Sequence, residues 1–534
     1  MRGRISLVIA VVLLVAVPLV PGVLADGSPA ALIRLPVESI VVLLLLAVLP
    51  WRAARVMVAV AFGLLVVAAV VLAGIDAGFE SVLDTHFDPL DWQRLGDAFG
   101  VVQDSIGAPA ATAVVAVLAV VAVGAVVALS WAALRVDAAV RPDRGRGTMV
   151  ASTVTAAWVL AALIGSVVVP GQPAAAAASV GAITATASRA SAGIAAQADL
   201  SHEIATDPYR NMPGSDLLTS LKGKDVVFAF VESYGQVAVQ GTGFSGGVDR
   251  ELHEGESQLA ADGYSSQSAF LTSPTFGGLS WLAHSTLQTG LWIDQQPVYS
   301  KVIRSDRLTL SQAFRNAGWR TVSDVPSDTE PWRFGTSFYH FDTLYNAKNV
   351  GYQGPTFGYA RIPDQYTWKY FADHELAGPH QPVMAEIDLV SSHTPWAPLP
   401  KLVPWSQAGD DSVYDPQPAQ GQPASAVWPD PTKVQQAYGQ SIQYSLGAMF
   451  SFLHNSDDPN LVLVVLGDHQ PSTIVSGQGA NHQVPISIIS KDQAVFRSIA
   501  GWDWHDGLLP ASDAPLWPMS SFRDRFLAAF SPNG

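Results

Sequence analysis

NLVLVVLGDHQ, residues Asn460 to Gln470, is the stretch that decides the fold of the polar part of this chain. Its short run of Leu and Val, closed by a glycine, is typical of a strand buried on both faces of a sheet. Such strands belong to α/β domains, in which functional side chains collect at the carboxyl ends of the strands. Here the strand runs directly into Asp468 and His469, two side chains that can bind a metal ion.

Two other predicted strands also end in side chains that can bind metals. Asp225–Val231, DVVFAFV, is followed by Glu232, and Val383–Leu389, VMAEIDL, leads through SSHTPW to His393. The carboxyl ends of parallel strands meet at one edge of a sheet, so we expect the three strand ends to share a site. One charged residue at a strand end is usually only a solvated loop residue, and the threefold occurrence is what indicates a site.

The rest of this region alternates between helices and strands, as an α/β domain requires. The pattern predicts helices over Arg250–Asp262, Leu308–Gly318 and Lys433–His454, and strands over Trp319–Val325 and Val484–Ser490. Pro404–Pro431 is rich in Pro, Asp and Gln, which predicts an irregular surface insertion.

LTSPTFGGLSWLAHSTLQTG, residues Leu271 to Gly290, predicts a sharp turn followed by a short helix. The Gly pair breaks the chain, Ser280 stands where an N-cap is expected, and Trp281–Thr289 forms a helix that Gly290 ends. The unpaired N–H groups and positive dipole at a helix start favour an anion such as phosphate. A serine hydroxyl there is placed to attack the anion, although an ordinary capping serine would give the same pattern.

Composition excludes several classes of function. The chain has 534 residues and a net charge of −15, which argues against a nucleic-acid partner. It contains no cysteine, so disulfides, thiolate nucleophiles and cysteine-bound metals are excluded.

The first third of the chain is far more apolar than the remainder and predicts a membrane domain. Its candidate spans are Leu7–Leu24, Pro36–Trp51, Val56–Ile75, Ala111–Leu134 and Met149–Val169. A spanning helix needs about 20 mostly apolar residues. The second run meets this only marginally, because Arg34 and Glu38 interrupt its start, and the first run could be a signal peptide cleaved near Ala25.

Arginines between these runs predict their orientation. Arg2 and Arg4 precede the first run, and Arg52 and Arg55 follow the second. The fourth run is followed by four arginines, namely Arg135, Arg141, Arg144 and Arg146. The loop Asp76–Gly107 is instead rich in acidic residues. Basic loops stay on the cytoplasmic side, so the chain after Val169 is expected outside, with five spans or with four after cleavage.

We therefore expect a multi-pass protein of the cell membrane with three parts. Residues 1–170 form a transmembrane helical domain, residues 171–220 an extracytoplasmic linker, and residues 221–534 an extracytoplasmic catalytic domain. The linker includes the Ala-rich segment Pro170–Ser201, which predicts either a tether or a poorly packed helix.

These motifs resemble those of the alkaline phosphatase/sulfatase superfamily, and within it the membrane-anchored lipoteichoic acid synthases and related phosphoglycerol and phosphoethanolamine transferases. The resemblance covers roughly Lys224–Lys491. VFAFVESYG, ending at Gly235, is similar to the family's first strand with its acidic metal ligand, and LGDHQP is similar to its Asp-His metal pair. The resemblance implies an α-helical membrane domain followed by an alkaline phosphatase-like α/β sandwich.

The resemblance also implies roles for particular side chains. Ser280 is the expected nucleophile, the expected metal ligands are Glu232, Ser280, Asp468 and His469, and the expected substrate-binding residues are His393, Trp332, Arg333 and His482. A ligand set of mostly oxygen suits one divalent ion, with Mn²⁺ preferred and Zn²⁺ or Mg²⁺ possible.

This chain departs from the family pattern in ways that leave alternatives open. These transferases typically use Thr as nucleophile, and Thr275 is a nearby competitor of Ser280. His284 either lines the site or lies on a helix surface, and Asp388 with His393 offers no firm set for a second ion. The sulfatase signature is absent after Ser280, which argues against a formylglycine sulfatase.

The expected function is transfer of a phosphoglycerol or related phospho-alcohol headgroup. The donor would be a phosphatidylglycerol-like phospholipid, the acceptor a cell-envelope glycan or lipid, and the intermediate a covalent phospho-serine. The alternatives are a metal-dependent phosphodiesterase or phosphatase of the same fold, a phosphoethanolamine transferase, and a non-catalytic membrane protein that keeps the fold as a sensor or assembly module.

Overall fold

A computed structural model of the chain describes residues 2–83, 86–92, 95–96, 99, 108–141, 144–169 and 172–531. Part of the loop Asp76–Gly107, which entered the orientation argument, lies outside the described residues. The chain divides into two compact units, the first covering most of residues 1–196 and the second residues 197–534.

The first unit consists mainly of apolar helices. They span Arg2–Ala16, Val20–Asp26, Val37–Val48, Arg52–Leu83, Ala108–Val140 and Arg144–Leu163, and a 3-10 turn at Val17–Leu19 joins the first two. Within the described part of the chain, three helical segments are long and apolar enough to cross a membrane, namely Gly3–Asp26, Arg52–Ser81 and Pro109–Val140.

Two of the five predicted spans form shorter apolar helices. Val37–Val48 has 12 residues, which gives a length of about 18 Å against a hydrocarbon core of about 30 Å. The fifth run ends its helix at Leu163, turns at Gly165 with φ 61°, and continues as the strand Val167–Val169. The number and orientation of the spans therefore stay predictions.

The predicted linker is partly helical. Ala178–Ala205 forms a helix of 28 residues. Of the two forms predicted for the Ala-rich segment, a tether and a helix, the structure shows the helix in this part.

The second unit is built around one mixed sheet. Its strands are β1 (Asp225–Val231), β2 (Ser265–Thr272), β3 (Arg320–Val325), β4 (Thr343–Asn346), β5 (Val383–Leu389), β6 (Leu461–Gly467), β7 (Gln483–Ser490), β8 (His505–Asp506) and β9 (Leu516–Pro518). The order across the sheet is β8-β2-β7-β6-β1-β5-β3-β4, and β9 pairs with β2. Strands β6, β1, β5, β3 and β4 run parallel, whereas β7 runs antiparallel to β6 and β2.

Helices cover both faces of this sheet. Alternate residues of β1 point into two separate hydrophobic cores, one containing Phe228 and Phe230, the other Val227 and Ala229. The helices that contribute to the first core are Ser280–Thr289, Leu310–Asn316 and Phe522–Phe530, and those of the second are Ser245–Ala261, Asp364–Glu375 and Pro431–His454. The predicted fold class, a helical membrane domain followed by an α/β sandwich, is confirmed.

The strand predictions hold to within one residue. β1 and β5 have the predicted bounds, while β3 begins one residue later, β6 is displaced by one residue and β7 begins one residue earlier. The sequence did not predict β2, β4, β8 and β9. β2 begins with the polar residues SSQS, and it is a strand because it pairs with β7, β8 and β9.

The ends of β1 and β6 lie unusually close together. Val231 is opposite Gly467 in the parallel pair, which brings Glu232 beside Asp468. A Cβ at Gly467 would lie 1.9 Å from the carbonyl oxygen of Tyr234, so only glycine permits this approach. The fold thereby places two predicted metal ligands from distant parts of the chain next to each other.

Candidate active site

Asp468 is held rigidly where β1 and β6 end. Its Oδ1 accepts hydrogen bonds from the backbone N–H of Ser233 at 2.7 Å and from that of His469 at 2.8 Å. Ser233 has φ 58°, a left-handed backbone conformation, in the turn that follows β1. With Oδ1 bound to the backbone, Oδ2 is the oxygen left to face the site.

Ser280 begins its helix and does not cap it, which corrects the sequence interpretation. The N-cap is Leu279 in a left-handed conformation with φ 68°, and no side chain caps the helix. The end at Gly290, also left-handed, is as predicted. Because its hydroxyl is not used as a cap, Ser280 donates a hydrogen bond to Glu232 Oε2 at 3.0 Å.

The loop before this helix is fixed to the end of β6. The N–H of Gly277 donates to the carbonyl oxygen of Gln470 at 2.9 Å, and Phe276 forms an isolated bridge with Gln470. The chain turns at Gly277 and Gly278, as predicted, and Ser280 therefore lies at the edge of the sheet.

His469 completes the group. Its Nδ1 lies 2.8 Å from the carbonyl oxygen of Gln470, which assigns the proton to Nδ1 and turns Nε2 toward the site. Nε2 lies 3.2 Å from Ser280 Oγ, 3.3 Å from Glu232 Oε1 and 3.4 Å from Asp468 Oδ2. We call Glu232, Ser280, Asp468 and His469 the Ser280 cluster.

The Ser280 cluster fits a divalent metal ion. Glu232, Asp468 and His469 are buried and offer ligand atoms within 4.8 Å of one another. Asp468 is 0% exposed, and its Oδ2 has no hydrogen-bond partner among the described residues. Ligands at about 2.1 Å from a tetrahedral ion are separated by about 3.4 Å, and the separations given above run from 3.0 to 3.4 Å.

Burial and mutual charge set the protonation of the Ser280 cluster. Burial disfavours a charged His469, but the charge of Asp468 and the hydrogen bond with Glu232 outweigh it and raise the His469 pKa to about 9. Burial, followed by the charge of Glu232, raises the pKa of Asp468 to about 6. For Glu232, the hydrogen bond from His469 and the charge of His393 outweigh burial and lower the pKa well below its usual range.

Thr275, the competing nucleophile, lies in a different environment. It is 4% exposed, and its Oγ1 lies 3.4 Å from Ser273 Oγ. Ser273 in turn donates a hydrogen bond to the carbonyl oxygen of Asp468 at 2.5 Å. The Ser233 hydroxyl also hydrogen-bonds to Glu232, but among the described residues the hydroxyl that contacts both the Glu232 carboxylate and the His469 ring is that of Ser280.

His393 is brought to the same edge of the sheet. It follows β5 after the 3-10 turn Val390–Ser392, and the Ser392 hydroxyl donates to the carbonyl oxygen of Glu232 at 2.7 Å. The His393 ring stacks on Tyr359 with centroids 3.6 Å apart, and its Nδ1 lies 2.6 Å from the carbonyl oxygen of Thr394. Its charge is one of the causes that lower the pKa of Glu232.

The other predicted substrate-binding residues lie outside the Ser280 cluster. Trp332 packs against Tyr339 with centroids 4.9 Å apart, and Arg333 is exposed at the start of the short helix Arg333–Ser337. His482 Nδ1 lies 3.3 Å from the carbonyl oxygen of Ser273. Within the described chain, none of these three side chains hydrogen-bonds to the cluster, and their substrate roles stay predictions.

Some residues that shape the site were not found from sequence. The Tyr438 hydroxyl donates to the carbonyl oxygen of Ser233 at 2.8 Å and supports the turn after Glu232 from the helix Pro431–His454. Glu386 was also missed, although it lies two residues from Asp388 in VMAEIDL. That alternation was a usable signal, because residues i and i+2 of a strand point to the same face.

Comparison with known proteins gives matches only among solved structures. No family model matches the chain, and no curated protein does. A lipoteichoic acid synthase, LtaP, from Listeria monocytogenes is 12% identical over 59% of this chain and 73% of its own, with a TM-score of 0.34. The integral membrane lipooligosaccharide phosphoethanolamine transferase A from Neisseria meningitidis is 12% identical over 98% of this chain and 95% of its own, with a TM-score of 0.49.

A third similar structure is the phosphoglycerol transferase GacH from Streptococcus pyogenes in complex with sn-glycerol-1-phosphate. It is 12% identical over 62% of this chain and 91% of its own, with a TM-score of 0.37. All three proteins come from the group that the sequence motifs resemble. At identities of 12% and TM-scores from 0.34 to 0.49, these similarities carry no argument about activity.

Proposed function

We propose that this protein is a membrane-bound, metal-dependent transferase. It moves a phosphoglycerol or related phospho-alcohol headgroup from a phospholipid to a cell-envelope glycan or lipid acceptor, through a covalent intermediate on Ser280. Its catalytic unit faces the outside of the cell membrane.

The observation that carries this proposal is the position of the Ser280 hydroxyl. Ser280 Oγ lies within 3.2 Å of both Glu232 and His469, and Ser280 is the first residue of its helix. The N–H groups and positive dipole of a helix start favour a phosphate at the same point. A nucleophile, a candidate metal centre and an anion-binding helix end therefore coincide.

The chain's own residues would perform the reaction in two displacements. Glu232, Asp468 and His469 would hold one divalent ion, with Mn²⁺ preferred, and this ion would favour ionisation of the Ser280 hydroxyl and offset the charge on the phosphoryl oxygens. Ser280 Oγ, having lost its proton to solvent when the ion binds, would form a bond to phosphorus while the bond from phosphorus to the diacylglycerol oxygen breaks. His393 would give a proton to that leaving oxygen.

In the second displacement an acceptor hydroxyl would replace Ser280. Its oxygen would attack the phosphorus of phospho-Ser280, its proton would pass to His393, and the Ser280 oxygen would leave. Arg333, with its exposed guanidinium, would clamp the phosphate in a bidentate manner, and Trp332 and His482 would line the headgroup. The apolar helices of the first unit support a lipid donor, because they keep the chain in the membrane.

Mass spectrometry of the intact protein tests this proposal. The full chain in detergent micelles is exposed to phosphatidylglycerol or phosphatidylethanolamine without acceptor, digested, and searched for a phospho-alcohol adduct. We expect the adduct on the peptide that contains Ser280, and we expect Ser280→Ala to lack it while Thr275→Val keeps it. An adduct on Thr275 would overturn the assigned nucleophile, and no adduct from any donor would contradict a covalent intermediate.

The same incubation distinguishes transfer from hydrolysis and one headgroup from another. Release of free glycerol phosphate at the same rate with and without a glycan or glycolipid acceptor would identify a phosphodiesterase. An adduct from phosphatidylethanolamine alone would identify a phosphoethanolamine transferase.

A further inference from the structure

A second group of metal-competent side chains lies beside the Ser280 cluster. It consists of His284, Glu386 and Asp388, whose ligand atoms lie within 4.8 Å of one another. We call these three residues the His284 cluster. His284 is one helical turn after Ser280, and the two carboxylates are both on β5, two residues apart and therefore on one face of the sheet.

The spacing of these atoms matches that of the Ser280 cluster. His284 Nδ1 lies 3.1 Å from Glu386 Oε1 and 3.5 Å from Asp388 Oδ1. Both distances are close to the separation of about 3.4 Å between ligands of a tetrahedral ion. The ligand atoms of the two carboxylates lie within 4.8 Å of each other, so all three residues can reach one cation.

Neighbouring residues orient two of these ligands. The His284 ring stacks on Phe230 with centroids 3.7 Å apart and planes 16° apart. The side-chain amide of Gln288 donates to Glu386 Oε2, which leaves Oε1 directed at His284. Partners of this kind commonly fix the rings and carboxylates that bind metals.

Asp388 provides an independent sign of a missing partner. Its Oδ1 is buried and has no hydrogen-bond partner in the part of the chain that the structure describes. His284 Nδ1 lies 3.5 Å from this oxygen, which is longer than an ordinary hydrogen bond. A buried carboxylate oxygen aimed at an imidazole and lacking a hydrogen bond is suited to a cation between the two.

The charge around the two clusters also favours a second cation. Glu232, Asp468, Glu386 and Asp388 carry four negative charges when ionised, and imidazoles that bind metals are neutral. With one divalent ion in the Ser280 cluster, Glu386 and Asp388 add two negative charges beside it when they are ionised. A second divalent ion, bound by these carboxylates and a neutral His284, would offset that charge.

We propose that His284, Glu386 and Asp388 bind a second divalent cation of the Mn²⁺ or Zn²⁺ class, one helical turn from Ser280. Asp388 is 20% exposed at its side chain, so the ion would have one side open to solvent or substrate. The ion would neutralise the carboxylates Glu386 and Asp388 beside the proposed phosphate position. This role rests on the proposed function, whereas the binding of the ion does not.

The test is the metal content of the full-length chain purified in detergent, loaded with Mn²⁺ and passed over a desalting column. We expect two ions per chain in the wild type, one in His284→Ala, one in the isosteric Asp388→Asn and one in Asp468→Asn. His253→Ala, which removes an exposed histidine from the helix Ser245–Ala261, is the matched control and should keep two.

Thermal unfolding shows whether the loss is a loss of binding and not of folding. In chelated Asp468→Asn protein, added Mn²⁺ should still raise the Tm, and in the double variant Asp468→Asn with Asp388→Asn it should not. One ion in the wild type that His284→Ala and Asp388→Asn retain and Asp468→Asn loses would overturn the second site and leave the proposed function intact. Unchanged metal content in Asp468→Asn would instead contradict the proposed function.

Discussion

The two clusters contain similar side chains but lie on different kinds of backbone. The Ser280 cluster follows turns in which Ser233 and Leu279 adopt left-handed conformations, with φ of 58° and 68°. The His284 cluster lies entirely within the helix Ser280–Thr289 and β5. A left-handed residue other than glycine costs roughly 1 kcal/mol or more. Strained turns therefore direct the candidate nucleophile and its candidate metal ligands toward one another, whereas regular elements are sufficient for the neighbouring cluster.

Replacing the nucleophile should have the largest effect. Ser280→Ala removes the oxygen proposed to form the covalent intermediate, so transfer of labelled headgroup should fall by on the order of 10³-fold or more. Thr275→Val is the control and should keep activity near that of the wild type. Comparable losses in the two variants would show that the Ser280 cluster is not the reacting centre.

Metal removal should lower the stability of the protein as well as its activity, and the stability lost should reflect both clusters. Chelation should abolish transfer and lower the Tm, and Mn²⁺ at 100 times its Kd should restore about 2.7 kcal/mol per site. Calorimetry of the wild type and Asp388→Asn during the titration measures the contribution of each site. A Tm that ignores both chelator and Mn²⁺ would contradict metal binding at either cluster.

Loss of the His284 cluster should weaken activity without abolishing it. Asp388→Asn should reduce transfer by about 10-fold to 100-fold, the range typical of residues that support a reacting centre from outside it. Steady-state rates over a range of donor concentration provide the measurement, and we expect mainly an increase in KM, because the phosphate meets uncompensated charge. A rate equal to that of Asp468→Asn would place Asp388 in the Ser280 cluster itself.

Asp324 is a buried carboxylate that, among the described residues, belongs to no cluster with a histidine. Its replacement should have the smallest effect on activity. It lies in β3, buried, and both of its carboxylate oxygens lack hydrogen-bond partners among the described residues. Burial, followed by the charge of Glu375, raises its pKa from 3.8 to about 7. The Asp324 carboxyl is therefore protonated in the folded protein at pH values below about 7. Asp324→Asn should leave metal content and transfer unchanged.

The same substitution gives a pH prediction for stability. Because the folded-state pKa of Asp324 is raised, its contribution to stability is fully present below pH 3.8 and is lost as the pH rises toward 7. The loss amounts to about 1.4 kcal/mol per pKa unit. Urea unfolding of the wild type should show this decline relative to Asp324→Asn, and parallel curves for the two proteins would contradict it.

Much of the sheet could be predicted because its central strands have strong local signals. β1, β5 and β6 are apolar runs that must be buried on both faces, and their bounds were predicted to within one residue. β2 could not be predicted, because its first half is polar and becomes a strand only by pairing with β7, β8 and β9. The predicted fifth run, Met149–Val169, continues beyond the observed helix, which ends at Leu163. Composition alone did not show that the helix ends before Gly165.

The site was predictable in its residue types and not in its geometry. Sequence placed Ser280 at the helix start, but as a cap, and only the left-handed Leu279 shows why its hydroxyl is directed at Glu232. The predicted helix start favoured Ser280 over Thr275, but the sequence did not show which of the two hydroxyls contacts Glu232 and His469. The pairing of His284 with Glu386 depends on how one helix is rotated against β5, and that rotation has no signature in either segment.

Local sequence was enough to identify the buried strands β1, β5 and β6 and the metal-competent side chains that follow them, namely Glu232, His393 and the pair Asp468–His469, because burial and side-chain chemistry are local properties. That Val231 lies opposite Gly467, and so that Glu232 meets Asp468, follows from the tertiary fold. Strand order, register and helix rotation arise from contacts between residues far apart in the chain. The convergence of side chains into two candidate metal centres follows from those contacts.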